Sequence, residues 1–262
     1  MPTTEIVLTG LSQGVLTITL NRPKVNAFNF ELIAGVQVAF KQAEREAQVR
    51  CVLLTGSGSV FSAGQDVAEF RQVGDVSFRY HLQRTYNPLI LQIRKLEKPV
   101  LAAINGAVSG AALGIALACD LRVAADNARF VVGFGGIGLA PDSAVSLFLP
   151  ALIGLGRASE FTFSNLPIGA EQALAWGLVN RVVPAAELGA QAAEWARLLA
   201  LGPIHAMGLA KRDFNRAVLG NLEQVLDYEA HIQEVAGQRA EHKEGVTAFL
   251  DKRMPDFLNP AG

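Results

Sequence analysis

With 262 residues, half of them hydrophobic and 18% charged, the chain is long enough to bury a sizeable core without disulfides or a metal. A net charge of −1 offers no global attraction to nucleic acid or to an anionic membrane surface. Cys51 and Cys119, the only cysteines, lie in apolar runs without a histidine or cysteine at metal-ligand spacing, so they read as buried free thiols of a reducing compartment.

The N-terminal MPTTEIVLTG lacks the basic patch and apolar core of a signal peptide, and the chain reads as cytosolic. VLTITL (15–20) alternates as a strand does, and residues 31–46 place Leu32, Val36, Phe40 and Ala43 on one helical face. CVLLTG (51–56) reads as a buried strand. Residues 78–97 read as a helix that Pro88 interrupts. The uncharged run from Pro99 to Cys119 could be mistaken for a membrane span. Asn105 and Gly106 break it, and Asp120 and Arg122 follow at once, so it reads as a buried strand (99–105) and a small-residue helix (109–120).

LRVAAD (121–126) and RFVV (129–132) read as short strands, and a helix starts at Ala144. Residues 171–183 read as a helix ending near Gly177, then a strand. Helices follow over 186–200, 203–219, 222–238 and 241–253. Strands alternating with helices imply parallel sheets, and the last third carries no strand signal.

FVVGFGGIGLAPDS (130–143) matches G-x-G-x-x-G at Gly133, Gly135 and Gly138. A dinucleotide-binding turn needs a helix to open directly behind the glycines. Leu139-Ala140-Pro141 forbids one there, because proline pushes the preceding residue out of helical geometry. Gly135, Gly136 and Gly138 are instead expected to thin the wall of a site, or to form a flexible surface loop. Asp142 follows. It can cap the helix behind it, or act as a general base among Val131, Val132, Phe134, Ile137 and Leu139, where burial raises a carboxyl pKa.

FSAGQD (61–66), KPVLAAINGAVSGAALGIALACD (98–120) and the passage 128–183 together resemble the crotonase, or enoyl-CoA hydratase/isomerase, superfamily. NRP (21–23) with Asn26 and Ala27, and EGVTAFLDKR (244–253), belong to the same pattern. The resemblance covers essentially the whole chain. It implies an α/β fold, a crotonase-like spiral of ββα units. Residues 1–200 would form the core that binds and converts acyl-CoA, and 201–262 a helical trimerisation region giving a homotrimer or homohexamer. The partner it implies is an acyl-CoA thioester substrate that carries coenzyme A with it. No further cofactor and no metal is implied, and neither nucleic acid nor a membrane.

The resemblance also implies an oxyanion hole made by the backbone N–H groups of Gln65 and Ala111, which would hold the thioester oxygen as it takes on enolate charge. By the same resemblance Lys24 meets the nucleotide phosphates, and Ala63, Asp66 and Val67 line the adenine and pantetheine path. Phe249 and Lys252 would reach the CoA of a neighbouring subunit. Hydratases of the family use two glutamates, and Gly114 and Phe134 stand at the matching positions. Asp142 and the tail from Ile232 resemble the ring-epoxide (1,2-epoxyphenylacetyl-CoA) isomerase subgroup, in which the aspartate is the acid/base group.

Two other readings stand beside isomerisation. A 4-chlorobenzoyl-CoA dehalogenase-like hydrolase would use Asp142 as nucleophile and a histidine base, whose place falls closer to Asn87 than to His81. A silent acyl-CoA-binding protein would use Asp142 only as a helix cap. Phe70, Phe78, Tyr80 and Tyr86 are candidates for the acyl pocket or for the packed face of a helix.

Overall fold

The computed structural model describes residues 5–72 and 77–260, the side chains of residues 70–72 excepted. Its strands divide between two sheets in a regular way. In the larger sheet, β1 (Val7–Ser12) pairs antiparallel with β2 (Val15–Leu20). Then β3 (Cys51–Gly56), β5 (Val100–Ile104), β7 (Leu121–Ala125) and β10 (Arg181–Val183) follow in parallel. The smaller sheet takes β4 (Val60–Ser62), β6 (Ala107–Ser109), β8 (Arg129–Val131) and β9 (Ile168–Gly169). Each of β3, β5 and β7 thus sends its next strand, β4, β6 or β8, into the second sheet. This repeated crossing winds the spiral that the motifs imply. The short strands β4, β6 and β9, of two or three residues each, escape a reading from sequence: at that length no period is measurable, and β8 and β10 are legible only from their flanking context.

α1 (Phe30–Arg45) starts where the Asn29 side chain accepts the Leu32 N–H at 2.9 Å, with Glu31 in its first turn and Arg45 in its last. It buries Leu32, Val36, Phe40 and Ala43 as the periodicity requires, together with Ile33 and Ala39. α2 (Val67–Gln72) follows β4. The expected helix over 78–97 is two: α3 (Phe78–Arg84) and α4 (Tyr86–Lys95). The break falls at Thr85, whose hydroxyl donates to the His81 carbonyl at 2.6 Å. Pro88 lies in the first turn of α4, where a missing N–H costs little.

The apolar run 99–119 holds β5, β6 and α5 (Ala111–Ala118), and no helix among the described residues is long and apolar enough to cross a membrane. All eight residues of α5 are buried. At its C-terminal end Arg94 donates to the Ala118 carbonyl at 3.0 Å and Arg122 to Cys119 at 2.7 Å. Two guanidinium groups therefore satisfy the negative end of the helix, and its positive end is left facing a cavity. Burial pushes both cysteine thiols up to about 12, which keeps them inert.

Behind β8 come a 3-10 turn (Gly135–Ile137), α6 (Val145–Ile153), α7 (Leu155–Ser164) and α8 (Ala170–Trp176). α9 (Leu188–Leu201) lays Leu188, Ala192, Ala196 and Ala200 over one face of the larger sheet. α10 (Ile204–Val218) is pinned to the core by Lys211, which donates to Asp120 at 2.8 Å and to the Ile93 carbonyl at 2.8 Å. α11 (Leu222–Gly237) packs on α3 and α6, and α12 (Ala240–Leu250) packs on the 3-10 turn and brings Phe249 to the cavity. The helices after residue 201 are thus built into the core of their own chain, beyond any part they take in assembly.

Candidate active site

The cavity, about 380 Å³, opens between the start of α5, the 63–67 turn, α3, α4 and the 131–142 segment. One wall carries two backbone amides. Phe28 and Gln65 form an isolated parallel bridge in which Phe28 N–H donates to the Gly64 carbonyl at 2.7 Å and Asp66 N–H to the Phe28 carbonyl at 2.9 Å. These bonds involve the residues flanking Gln65, so the amide of Gln65 itself points away from Phe28. Gly64 has φ +85°, and a Cβ there would stand 2.7 Å from the Ser109 carbonyl oxygen and 3.6 Å from Ala111 N. Its bare backbone lets the turn close on the first residue of α5. Among the described residues neither the Gln65 nor the Ala111 N–H has an acceptor. Two open amides at a helix N-terminus make a site for developing negative charge.

The Gln65 side chain is held on the same wall. Its Oε1 accepts from the Tyr86 hydroxyl at 2.7 Å and lies 3.3 Å from His81 Nε2, and its Nε2 donates to Glu69 at 3.1 Å. Burial lowers the His81 pKa to about 4, so this imidazole is neutral near pH 7.

Asp142 lines the same cavity. It is buried, its Oδ1 accepting from Ser143 Oγ at 2.7 Å and its Oδ2 from Gln233 Nε2 at 2.7 Å. Burial raises its pKa from 3.8 to about 6, against the pull of those two donors. The helix-cap reading fails. α6 starts at Val145, and Glu229 of α11 accepts the Ala144 N–H at 2.7 Å and the Ser146 N–H at 3.0 Å. That carboxylate takes the capping task from across the fold and leaves the Asp142 carboxyl to the cavity. Burial raises the Glu229 pKa to about 7.

Ser143 and Ala144 are both left-handed, with φ of 56° and 60°, a costly conformation for residues with a Cβ. The strained turn fits because α5 carries Gly114 beneath it. A Cβ at 114 would stand 2.5 Å from the Ser143 carbonyl oxygen and 2.6 Å from its Cβ. The position of one family glutamate is therefore occupied by backbone. Gly114→Ala should destabilise the fold by about 1–3 kcal/mol, as overpacking of backbone does. A glutamate there should cost more and confer no hydration; a urea titration of the alanine variant that matches the parent would refute this.

Asp142 also predicts a stability profile. Its folded carboxyl keeps a proton up to about pH 6, whereas the unfolded one loses it near 3.8. Between those values the unfolded chain binds fewer protons, so stability falls as pH rises. The gap of about 2 units corresponds to about 3 kcal/mol. Asp142→Asn should therefore unfold at higher urea than the parent at pH 8, with the two curves converging near pH 4. A variant less stable than the parent at pH 8 would contradict the burial argument.

Ala63, Asp66 and Val67 all border the cavity. The Asp66 side chain is engaged structurally: it binds Arg22 at 2.7 Å and accepts the Ala68 N–H at 3.1 Å, capping α2. Lys24 is exposed on the loop beside Val25, which reaches the cavity. Phe249, expected at a neighbouring subunit's CoA, borders the cavity of its own chain, where α12 packs on the 3-10 turn; Lys252 is exposed beyond it. Gly138 belongs to that packing rather than to a thinned wall: a Cβ there would stand 2.7 Å from the Glu241 carbonyl. Gly133 and Gly136 do border the cavity. Tyr86 and Phe78 line it; Tyr80 is exposed, and the Phe70 side chain lies outside the described residues. Asn87 is turned away, donating to the Leu226 carbonyl at 3.1 Å. No group of metal-ligating side chains occurs among the described residues.

Glu229 and Gln233 escape the sequence reading, although a signal exists. They interrupt the buried stripe of Leu222, Leu226 and Ala230 on α11, where a polar side chain needs a partner.

Residues 10–260 match the family model described as enoyl-CoA hydratase/isomerase. The chain is 40% identical to the 1,2-epoxyphenylacetyl-CoA isomerase of Escherichia coli (strain K12), over 97% of this chain and 98% of that one. It is 35% identical to the 4-chlorobenzoyl coenzyme A dehalogenase-2 of an Arthrobacter species, over 93% and 90%. The crystal structure of an enoyl-CoA hydratase from Mycobacterium avium subsp. paratuberculosis K-10 superimposes with a TM-score of 0.88 at 33% identity, covering 98% of this chain and all of the other. The chain belongs to the enoyl-CoA hydratase/isomerase family, and the α/β fold is that of its structural neighbours.

Proposed function

We propose that the protein is an acyl-CoA isomerase that shifts a double bond, or opens and rearranges a ring epoxide, through a thioester enolate. The thioester oxygen sits between the Gln65 and Ala111 amides. Asp142 takes a proton from one carbon of the acyl chain and returns it to another. The electron pair of the broken C–H bond enters the enolate, and its negative charge is held by donors that contribute about 2.7–4 kcal/mol each to the transition state. A carboxyl that titrates near 6 is largely ionised at pH 7 and, once protonated, acidic enough to give the proton back.

The observation that carries this reading is that Asp142 is, among the described residues, the one buried carboxyl lining the cavity, with the capping duty taken by Glu229 and the half-buried Asp66 tied to Arg22. Hydration needs a second acid. Position 114 is filled by the Ser143 backbone and 134 is a phenylalanine, so the cavity supports a one-carboxyl reaction. Hydrolysis with Asp142 as nucleophile needs a base; Asn87 faces α11, and His81, neutral and on the cavity, is held against the Gln65 side chain.

In this reading Ala63, Asp66, Val67 and Phe249, which line the cavity, border the CoA arm, and the exposed Lys24 and Lys252 meet it outside. The apolar side chains left exposed on α9 and α10, Leu201 and Phe214 among them, support assembly into a trimer or hexamer. The buried free thiols support a cytosolic setting.

The test is a panel of enoyl- and aryl-CoA thioesters scored for double-bond migration, water addition and halide loss. Migration without hydration is the expected result. Chloride release from 4-chlorobenzoyl-CoA would favour the nucleophilic reading. Acyl-CoA binding without proton exchange into the acyl chain in heavy water would favour a silent binder.

A further inference from the structure

The Asp142 carboxyl is oriented by a residue ninety-one positions further along the chain. Gln233 is fully buried, and its amide meets the 140–142 segment twice. Nε2 donates to the Ala140 carbonyl at 2.7 Å and to Asp142 Oδ2 at 2.7 Å. The carbonyl can only accept, so the amide has one admissible orientation: turned over, Oε1 would face two oxygens. In that orientation Oε1 is itself buried with no partner among the described residues. An orphaned buried acceptor opposes folding and needs a compensating reason. Asp142 Oδ1, by contrast, meets the Ser143 hydroxyl, which can rotate from donating to accepting.

We propose that Gln233 is a positioning residue that reserves Asp142 Oδ2 as a permanent acceptor and confines the transferred proton to Oδ1, beside Ser143. The inference rests on the acid/base reading of Asp142. When the C–H bond breaks, the proton forms an O–H bond at Oδ1 and the electron pair passes to the enolate. On return the O–H bond breaks, a new C–H bond forms and the carboxylate is restored. Gln233 keeps both its hydrogen bonds throughout. The titratable groups that face Asp142 are Glu229, one turn earlier on α11, and the Tyr86 phenol on α4. Neither brings positive charge, so Gln233 and Ser143 are what favours the ionised carboxyl against burial.

Gln233→Met keeps the volume and removes the donor; Gln233→Leu removes it with a shorter side chain and serves should methionine disturb the packing. The acidic limb of the pH profile of kcat/KM for double-bond migration should move up by about one pH unit in either variant. KM for the thioester should stay unchanged, and kcat should recover at high pH. Loss of kcat at every pH with a stationary limb would overturn the assignment and leave Gln233 a packing residue. A second readout is independent of turnover: infrared titration of the Asp142 carboxyl in the unliganded protein, identified by its loss in Asp142→Asn. An unmoved titration in both variants overturns the inference. A shifted titration in a protein that isomerises no thioester sinks the acid/base reading while upholding the hold of Gln233 on Asp142.

Discussion

Asp142→Asn should lower double-bond migration by about 10²- to 10⁴-fold, the range expected when a positioned acid/base group is removed, and leave acyl-CoA affinity within a few-fold of the parent. The asymmetry follows from the division of labour in the cavity. On the proposed reading, affinity for the thioester comes from the CoA arm and from the amide wall of Gln65 and Ala111, which the substitution does not touch. Only the proton transfer needs the carboxyl. The parent should also lose activity as pH falls through about 6, tenfold per unit once below it, because protonation removes the base. The residual rate of the variant should lack that limb. Steady-state kinetics between pH 4.5 and 8.5, with calorimetric titration of a saturated acyl-CoA, checks both. A variant that turns over at the parent's rate would reject the acid/base role.

Ala111→Pro should lower kcat by about 10²- to 10³-fold, the effect of deleting one oxyanion donor. The substitution can be clean for a structural reason. Ala111 is the first residue of α5, a position where proline is accommodated because its N–H has no helical partner. The preceding residue, Gly110, has φ 58° and ψ −132°, an extended conformation of positive φ that glycine adopts before proline without a Cβ to clash. The helix should therefore persist while the donor disappears. Far-ultraviolet circular dichroism and a thermal melt near the parent's would establish that the fold is intact. Full activity in a folded Ala111→Pro protein would show that this amide does not bind the reacting oxygen.

The strands and helices that carry long apolar patterns are legible in the sequence: β2, β3, β5, α1 and the four helices after residue 184 fall within a few residues of their expected bounds. What escapes is set by contacts that no local pattern encodes. The break before α4 falls at Thr85, three residues ahead of the proline expected to cause it. Three-residue strands of the second sheet exist because the spiral pairs them, as Ala107–Ser109 pairs with Arg129–Val131.

Within the site, motifs point to Gln65, Ala111 and Asp142, and the three border one cavity. Their supports carry no such signature. Glu229 and Gln233 lie in a helix that composition assigns only to packing, and their roles appear once α11 is seen across the strained turn at Ser143 and Ala144. The C-terminal helices read from sequence as an assembly region. Phe249 on the cavity of its own chain and Glu229 at the start of α6 show that they also pack against the candidate site.

A crystal structure of Asp142→Asn holding a β,γ-unsaturated acyl-CoA tests the central claim most directly. The expected result is a thioester oxygen about 2.7–3.1 Å from both the Gln65 and Ala111 nitrogens, with the substituted side chain at position 142 about 3–3.5 Å from the acyl carbon that would lose its proton. A thioester bound away from those amides, or a side chain at position 142 separated from the acyl chain by solvent, would contradict the account.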